Sequence, residues 1–565
     1  MESGHKWGKM THHQLSSRRS ARLAALGAAA ALVTALLPGQ AASAAPGGQC
    51  SNRANNTYQK LLDCVTTEGV LEHLEVFQKI ADNSNDPVYP GTRAAGTVGY
   101  DQSVEYVAGL LRDAGYEVTL DPVEITFSFP AALEQLTPTP SDYVTGVFTG
   151  SGEGDVSAAI TEVDINLTPP RASTSGCDGA FTEAAVGAPI VADPSGPNDF
   201  AGFPAGSIAL IQRGGCSFAL KAANAQAAGA SGVVIFNQGD TPDREVMFVG
   251  NATPPEGSAV TEITIPVVGA SFDDGAALSA ASTARVFVES ETRTDYNVIA
   301  ELPGKNEDNV VMAGAHLDSV IEGPGINDNG SGSAALLETA LLMAKVNPQN
   351  TLRFAWWAGE EQNLLGSADY VTGLSPAERD RIALYMNYDM VGSPNYIFMV
   401  YDADLSTFPA PTGVPIPAGS TAIEDLYESY YTAIGEPYDD TEFSGRSDYE
   451  AFILAGIPSS GLFTGAEESK TEEQEAIWGG TAGEAYDVCY HEICDTINNV
   501  DLHALDVNSD LIAFAALTFA YSTESVNGVP GKKVPGPVFN LPAPAGPEGT
   551  FTVGNSAGLG RRSNY

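Results

Sequence analysis

Six side chains, scattered over 176 positions of a 565-residue chain, are of the types that hold metal and move protons: His316, Asp328, the pair Glu360–Glu361, Asp389 and His491. The first two fall in one stretch, AGAHLDSVIEGPGINDNGSGS, Ala313 to Ser333. It places a histidine, an aspartate two residues on, and a second aspartate in a glycine-rich turn. Adjacent acids at the end of a strand point their side chains apart. One of Glu360 and Glu361 can therefore bind a metal while the other faces a water held there, giving a ligand and a general base. Histidine and carboxylate donors together suit zinc, with cobalt or manganese as other fits. Seven histidines occur, and His5, His12 and His13 lie near the amino terminus, leaving His73, His316, His491 and His503. Two of those four stand in polar loops after candidate strands. Asp318 is placed to accept the second ring N–H of His316 and fix its tautomer.

These residues need a scaffold that brings strand ends together. Val310 to Gly314, Leu352 to Ala358 and Leu384 to Tyr388 are apolar enough for buried parallel strands. His316, Glu360–Glu361 and Asp389 follow their C-terminal ends, where sites in open α/β sheets gather. The Ala/Leu-rich run from Ser331 to Lys345 is a buried helix ended by Asn347-Pro348. Upstream, Glu68 to Ala81 and Asp101 to Ala114 have helical spacing, Gly115 caps the second, and Tyr116 to Phe129 alternates like one or two strands. Asn297 to Leu302 resumes the α/β pattern. Between them, from about residue 130 to 291, the composition turns to Gly, Ala, Pro and Thr. Its clearest piece is a strand over Ile208–Gln212, an N-cap at Ser217, a helix to Ala228 and a strand over Val233–Phe236. This stretch resembles the protease-associated domain inserted in extracellular peptidases.

The totals set limits. A formal charge of −44 argues against nucleic acid and anionic membrane surfaces as partners. With 17% charged and 43% hydrophobic residues the chain is an acidic globular protein. Residues 1–45 read as a secretory signal: Arg18, Arg19 and Arg22, an apolar run from Leu23 to Leu37, and Ala42-Ser43-Ala44 for cleavage. The arginine pair leaves both Sec and twin-arginine export open. All six cysteines follow it, fitting an oxidising compartment. Locality pairs Cys50 with Cys64, Cys177 with Cys216 and Cys489 with Cys494. Residues 526–565 form a Pro/Gly-rich tail, read as linker or disorder.

Taken together the chain resembles the secreted dizinc aminopeptidases typified by extracellular bacterial leucyl aminopeptidases. The matching blocks are AGAHLDSV, GINDNGSGSAALLETA, LRFAWWAGEE, NYDMVGSPN, GRSDY, GLFTGA, WGGTAG and CYHEICD. The resemblance implies an α/β/α sandwich with a mixed central sheet, formed by residues 46–129 and 292–525, with the β-rich protease-associated domain at 130–291. It implies that His316 and Asp389 hold one zinc, Glu361 and His491 the other, and that Asp328 bridges them. Glu360 would be the general acid/base and Tyr490 would steady the oxyanion. Arg446 would organise the region of the free α-amine with Glu360 and Asp389, while Met390, Gly445 and Phe463 would line a pocket for a leucine-like side chain. Related enzymes bind calcium near the C-terminal helix, where Asp506 and Asp510 match and Cys64 replaces an acidic partner. The expected substrates are peptides with a free N-terminus, and the expected state is a monomer. A carboxypeptidase or dipeptidase of the same fold is the first alternative, with Arg446 the only obvious group for a terminal carboxylate. A receptor-like protein with a dead peptidase domain is the second, and it would have lost ligands that this chain keeps.

Overall fold

The computed structural model describes residues 50–280, 282–410 and 414–548. The expected signal at 1–45 and the end of the tail, 549–565, lie outside them.

An eight-stranded mixed sheet carries the site. Its strands are β1 (Glu117–Ser128), β2 (Ser290–Leu302), β3 (Asn306–His316), β4 (Asn350–Trp357), β5 (Ile382–Tyr388), β6 (Met399–Tyr401), β7 (Asp439–Thr441) and β8 (Ser459–Phe463). They lie in the order β1-β2-β4-β3-β5-β8-β6-β7. The four central strands, β4, β3, β5 and β8, are parallel. Strands β4 and β5 are buried along their whole length, as both-face coverage requires. Alternate residues feed two cores. Val311, Phe354, Trp356 and Met386 pack on one face with helices α1 (Thr67–Asn83), α2 (Val98–Ala114), α3 (Gly332–Met343), α4 (Ser420–Ile434) and α5 (Leu502–Tyr521). Met312, Ala355, Trp357 and Tyr385 pack on the other with the helix Tyr449–Leu454. The result is an α/β/α sandwich.

The expected helices and strands are present with small shifts. The larger departures have physical causes. Tyr116–Phe129 is a single strand, and β2 begins at Ser290 rather than Asn297, because β1 and β2 pair antiparallel over their full length, from Glu117↔Glu301 to Ser128↔Ser290. This two-stranded arm leads to a second, seven-stranded sheet built from residues between Ala132 and Val288. There the strands Ile208–Gln212 and Gly232–Phe236 flank the helix Phe218–Ala227, and the Ser217 hydroxyl accepts the Leu220 N–H at 3.2 Å.

The linker reading of the tail fails for residues 526–548. Phe539 packs against Tyr58, Tyr430 and Phe514, with ring centroids 5.0–6.2 Å apart. The backbone N–H groups of Ala545, Gly546 and Glu548 donate to Thr432 Oγ1, Tyr438 Oη and the Tyr438 carbonyl. An aromatic anchor and backbone hydrogen bonds thus hold a segment whose composition alone reads as unstructured. The three disulfides are Cys50–Cys64, Cys177–Cys216 and Cys489–Cys494, as locality suggested. No described helix is long and apolar enough to cross a membrane.

Candidate metal centre

His316 is the last residue of β3, not one beyond it. Asp389 follows β5, and Glu360–Glu361 follow β4 by three residues. The turn containing Asp328 is delivered by α3, whose first residue, Gly332, lies so close to the end of β5 that a Cβ there would stand 2.4 Å from the Tyr388 carbonyl oxygen. Asn329 completes the join by accepting from the N–H groups of Gly332 and Met390 and donating to the Tyr388 carbonyl.

These elements converge on two histidines. His316 Nε2 lies 3.3 Å from Asp328 Oδ1 and 3.3 Å from Asp389 Oδ1, with Glu360 Oε2 farther, at 3.8 Å. His491 Nε2 lies 3.2 Å from Asp328 Oδ2 and 3.0 Å from Glu361 Oε2. Asp328 therefore turns one oxygen to each histidine. Grouped by proximity alone, Glu360 falls with His316 and Asp389. Its greater distance from Nε2 sets it apart from Asp389.

The donor set fits a pair of cations. Asp389 Oδ1 and Glu361 Oε1 are buried and have no hydrogen-bond partner, which is costly for a carboxylate unless a charge sits against it. Burial pushes the His316 imidazole down, yet Glu360, Asp389, Asp318 and Asp328 override it and hold it well above its ordinary range. Burial likewise opposes His491, but Glu361 and Asp328 carry it up to about 11. Burial raises Asp328, and both histidines more than reverse this, leaving it well below the usual carboxylate range. Burial, then Asp328, pushes Glu361 up to about 7 against the pull of His491. Glu360 is raised well above its ordinary value by burial and by Glu361 and Asp389.

Supporting groups hold this geometry. His316 Nδ1 lies 3.1 Å from the Asp318 carbonyl oxygen and 3.6 Å from its carboxylate. The expected carboxylate acceptor is thus displaced by the residue's own backbone, because the Asp318 carboxylate is turned to the N–H groups of Glu360 (3.2 Å) and Glu361 (3.4 Å). Ser447 donates to Asp389 Oδ2 at 2.6 Å. Asp495 accepts from the backbone N–H groups of Asn327 (2.8 Å) and Asp328 (3.0 Å), fixing the central carboxylate from behind. Asp487 accepts from the Asn327 amide at 2.7 Å. The buried Arg93 guanidinium donates to the carbonyls of Leu317, Pro324 and Gly325, clamping the loop between His316 and Asp328. Sequence reasoning missed Arg93, Asp487 and Asp495. Asp495 ends the CYHEICD block, which was its one visible signal.

His491 and Tyr490 sit between the bridged Cys489 and Cys494, and their rings stack at 3.8 Å. The Tyr490 hydroxyl receives Arg446 Nη2 at 3.2 Å. Arg446 was expected to work with Glu360 and Asp389. Its contacts are instead an ion pair with Glu467 at 2.9 Å and a longer one with Glu468 at 3.6 Å, the acids of the turn opposite. Met390 and Phe463 are joined through the Thr464 N–H, which donates to the Met390 carbonyl at 3.0 Å. Gly445 lies two residues before Ser447 and receives support from the Tyr449 hydroxyl, which accepts its N–H at 2.8 Å. The other histidines lie apart: His73 meets Tyr106 and Glu338, and His503 meets Glu436. Asp506 and Asp510 stand one turn apart on α5, with Thr67 donating to Asp506. Among the described residues they belong to no group of three metal-ligating side chains, and Cys64 is held in a disulfide.

The chain is similar to known proteins. Residues 297–516 match Peptidase family M28, and residues 166–278 match the PA domain. An aminopeptidase of Pseudomonas aeruginosa is 45% identical over 476 residues, which cover 82% of this chain and 83% of that protein. The chain belongs to peptidase family M28. It is a metallo-aminopeptidase carrying a PA domain. A probable leucine aminopeptidase 2 of Aspergillus fumigatus is 45% identical over 330 residues, 57% of this chain and 63% of that one. A zinc aminopeptidase from Bacillus subtilis superposes with a TM-score of 0.57 at 25% identity, over 82% of this chain and 97% of that chain.

Proposed function

We propose that this M28 member is a secreted dizinc aminopeptidase that removes leucine-like residues from the free N-terminus of peptides. The observation that carries the two-ion reading is Asp328, whose two oxygens lie 3.3 and 3.2 Å from Nε2 of two different histidines. His316 and Asp389 would hold one zinc and Glu361 and His491 the other, with Asp328 serving both. Zinc held there would supply Lewis acidity, acidifying a water and polarising the first peptide carbonyl. Glu360 takes the water proton at its carboxylate and returns it to the leaving amine. Asp318 fixes the backbone of the Glu360–Glu361 pair, so the two acids keep separate tasks. Arg446 occupies the acceptor side of the Tyr490 hydroxyl and leaves its proton to donate to the developing oxyanion.

Arg446, paired with Glu467 and Glu468, is poorly disposed toward a terminal carboxylate, which counts against a carboxypeptidase. Met390, Gly445 and Phe463 form the wall for the first side chain, and the name of the Aspergillus relative supports a leucine-like choice. The peptidase domain comprises 46–129 and 292–525, the insertion 130–291, and the signal 1–45. The three disulfides support an extracellular setting. The test is cleavage of leucine p-nitroanilide beside its N-acetylated form, with and without chelator. Cleavage of the free amine alone, abolished by chelator, is expected. Equal cleavage of the blocked substrate would sink the aminopeptidase reading.

A further inference from the structure

Arg446 directly precedes Ser447, which donates to Asp389, yet its own guanidinium meets other groups. Nη1 lies 2.9 Å from Glu467 Oε1, and Nη2 donates to Glu467 Oε2 at 3.3 Å. The same Nη2 donates to the Tyr490 hydroxyl oxygen at 3.2 Å. Glu468 Oε1 is farther from Nη1, at 3.6 Å. Two parallel contacts to one carboxylate fix the plane of a guanidinium as well as its place. One N–H of Nη2 then serves Glu467, and the other is left for Tyr490.

The carboxylate and the hydroxyl belong to one hydrogen-bonded frame. Glu467 lies in the turn after β8, where the Ala466 carbonyl accepts the Asp487 N–H at 2.8 Å and the Glu468 carbonyl accepts the Tyr486 N–H at 2.9 Å. The Asp487 carbonyl accepts the Tyr490 N–H at 3.3 Å, and Cys489–Cys494 closes the loop that bears Tyr490. Gly465 has φ +100°, and a Cβ there would stand 2.3 Å from the Tyr486 ring, so the turn lies directly against the segment that leads to Tyr490. Glu467 and Tyr490 are thus held at a set separation, and the Arg446 guanidinium spans it.

We infer that Glu467 is a positioning residue for the peptidase reaction: its carboxylate holds Arg446 away from the carboxylates assigned to the metals and on the hydroxyl oxygen of Tyr490, which leaves the Tyr490 proton for the oxyanion. This rests on the oxyanion role given to Tyr490 above. A guanidinium next to a group of carboxylates is drawn to them. An acid of its own offsets that pull, which accounts for Arg446 meeting Glu467 where Glu360 and Asp389 were expected. Arg446 and Glu467 are 48% and 42% exposed, so the pair adds little to stability, and its effect lies in direction.

Turnover of leucine p-nitroanilide by the zinc-loaded full chain is measured for Glu467→Ala, Tyr490→Phe and the double variant, beside zinc content and Tm. Glu467→Ala is expected to lower kcat about tenfold, the loss typical of a group that orients another, with KM changed less than about twofold. Its zinc is kept, and its Tm stays within about 2 °C of wild type. In the Tyr490→Phe background the same substitution is expected to cost less than about twofold in kcat, because the hydroxyl it acts on is gone. A tenfold loss that persists in that background, or one carried by KM, zinc content or Tm, would overturn the proposal. So would an unchanged kcat in Glu467→Ala while Tyr490→Phe is impaired. Normal turnover by Tyr490→Phe would remove the oxyanion role of Tyr490 first and the positioning role with it.

Discussion

Asp495 is not among the assigned metal ligands, yet the position of Asp328 depends on it. Its two oxygens accept the backbone N–H groups of Asn327 and Asp328 at 2.8 and 3.0 Å, in a site where Asp495 is 2% exposed. In Asp495→Asn one oxygen becomes an NH2 facing a backbone N–H, so one buried donor loses its acceptor. That costs about 1–3 kcal/mol. If the cost falls on the metal-competent geometry, zinc affinity drops by roughly 5- to 150-fold, in line with the ~10–100-fold typical of groups that orient ligands. Asp495→Ala orphans both donors, at about 2–6 kcal/mol, and lowers Tm as well. Burial pushes the Asp495 carboxyl up to about 7 against those two donors, so the comparison belongs near pH 8, where it is ionised. Zinc affinity is read by competition with a chromophoric chelator, beside kcat/KM and Tm. An Asn variant with wild-type zinc affinity and turnover would refute the bracing role.

Glu360→Gln should keep zinc and lose about 10²–10⁴ in kcat, read by metal analysis and turnover together; loss of zinc would make Glu360 a ligand. Tyr490→Phe should lower kcat by about 10²–10³ with zinc retained and little change in KM, the pattern of a group acting on the transition state. Asp295 accepts the Gly96 N–H at 2.5 Å, and burial raises its carboxyl to about 7. Because the folded value lies above the unfolded one, its stabilising contribution is complete below about pH 4 and is lost as pH rises through 7. Asp295→Asn keeps an acceptor for Gly96, so the variant should gain stability over wild type between those values, by at most about 4 kcal/mol. Denaturant melts at pH 4 and pH 8 measure this, and an unchanged difference would contradict it.

Most of the assigned ligands were legible because they stand at or just after a strand end, in a polar break of an apolar run. His316, Glu360–Glu361 and Asp389 needed only strand placement, and His491 was marked by its flanking cysteines. Local signals also gave the caps at Ser217 and Gly115. What escaped depends on distant partners. Arg93 reads as an ordinary residue in a turn, and only the fold brings the Leu317–Gly325 carbonyls to it. Asp495 lies 167 positions from the N–H of Asp328 that it accepts. Arg446 carries no sign of Glu467 until the turns meet. The length of β1 and β2 is set by their mutual pairing, and the tail by the aromatic pocket that receives Phe539.

The central claim is that one carboxylate joins two metals on one water. Diffraction from crystals of the zinc-loaded protein, recorded on both sides of the zinc absorption edge, tests it directly. The account predicts two anomalous peaks about 3.5–4 Å apart, one beside His316 and Asp389, the other beside Glu361 and His491, with Asp328 between them. A single peak at full zinc occupancy, or two peaks with Asp328 bound to one alone, would contradict it.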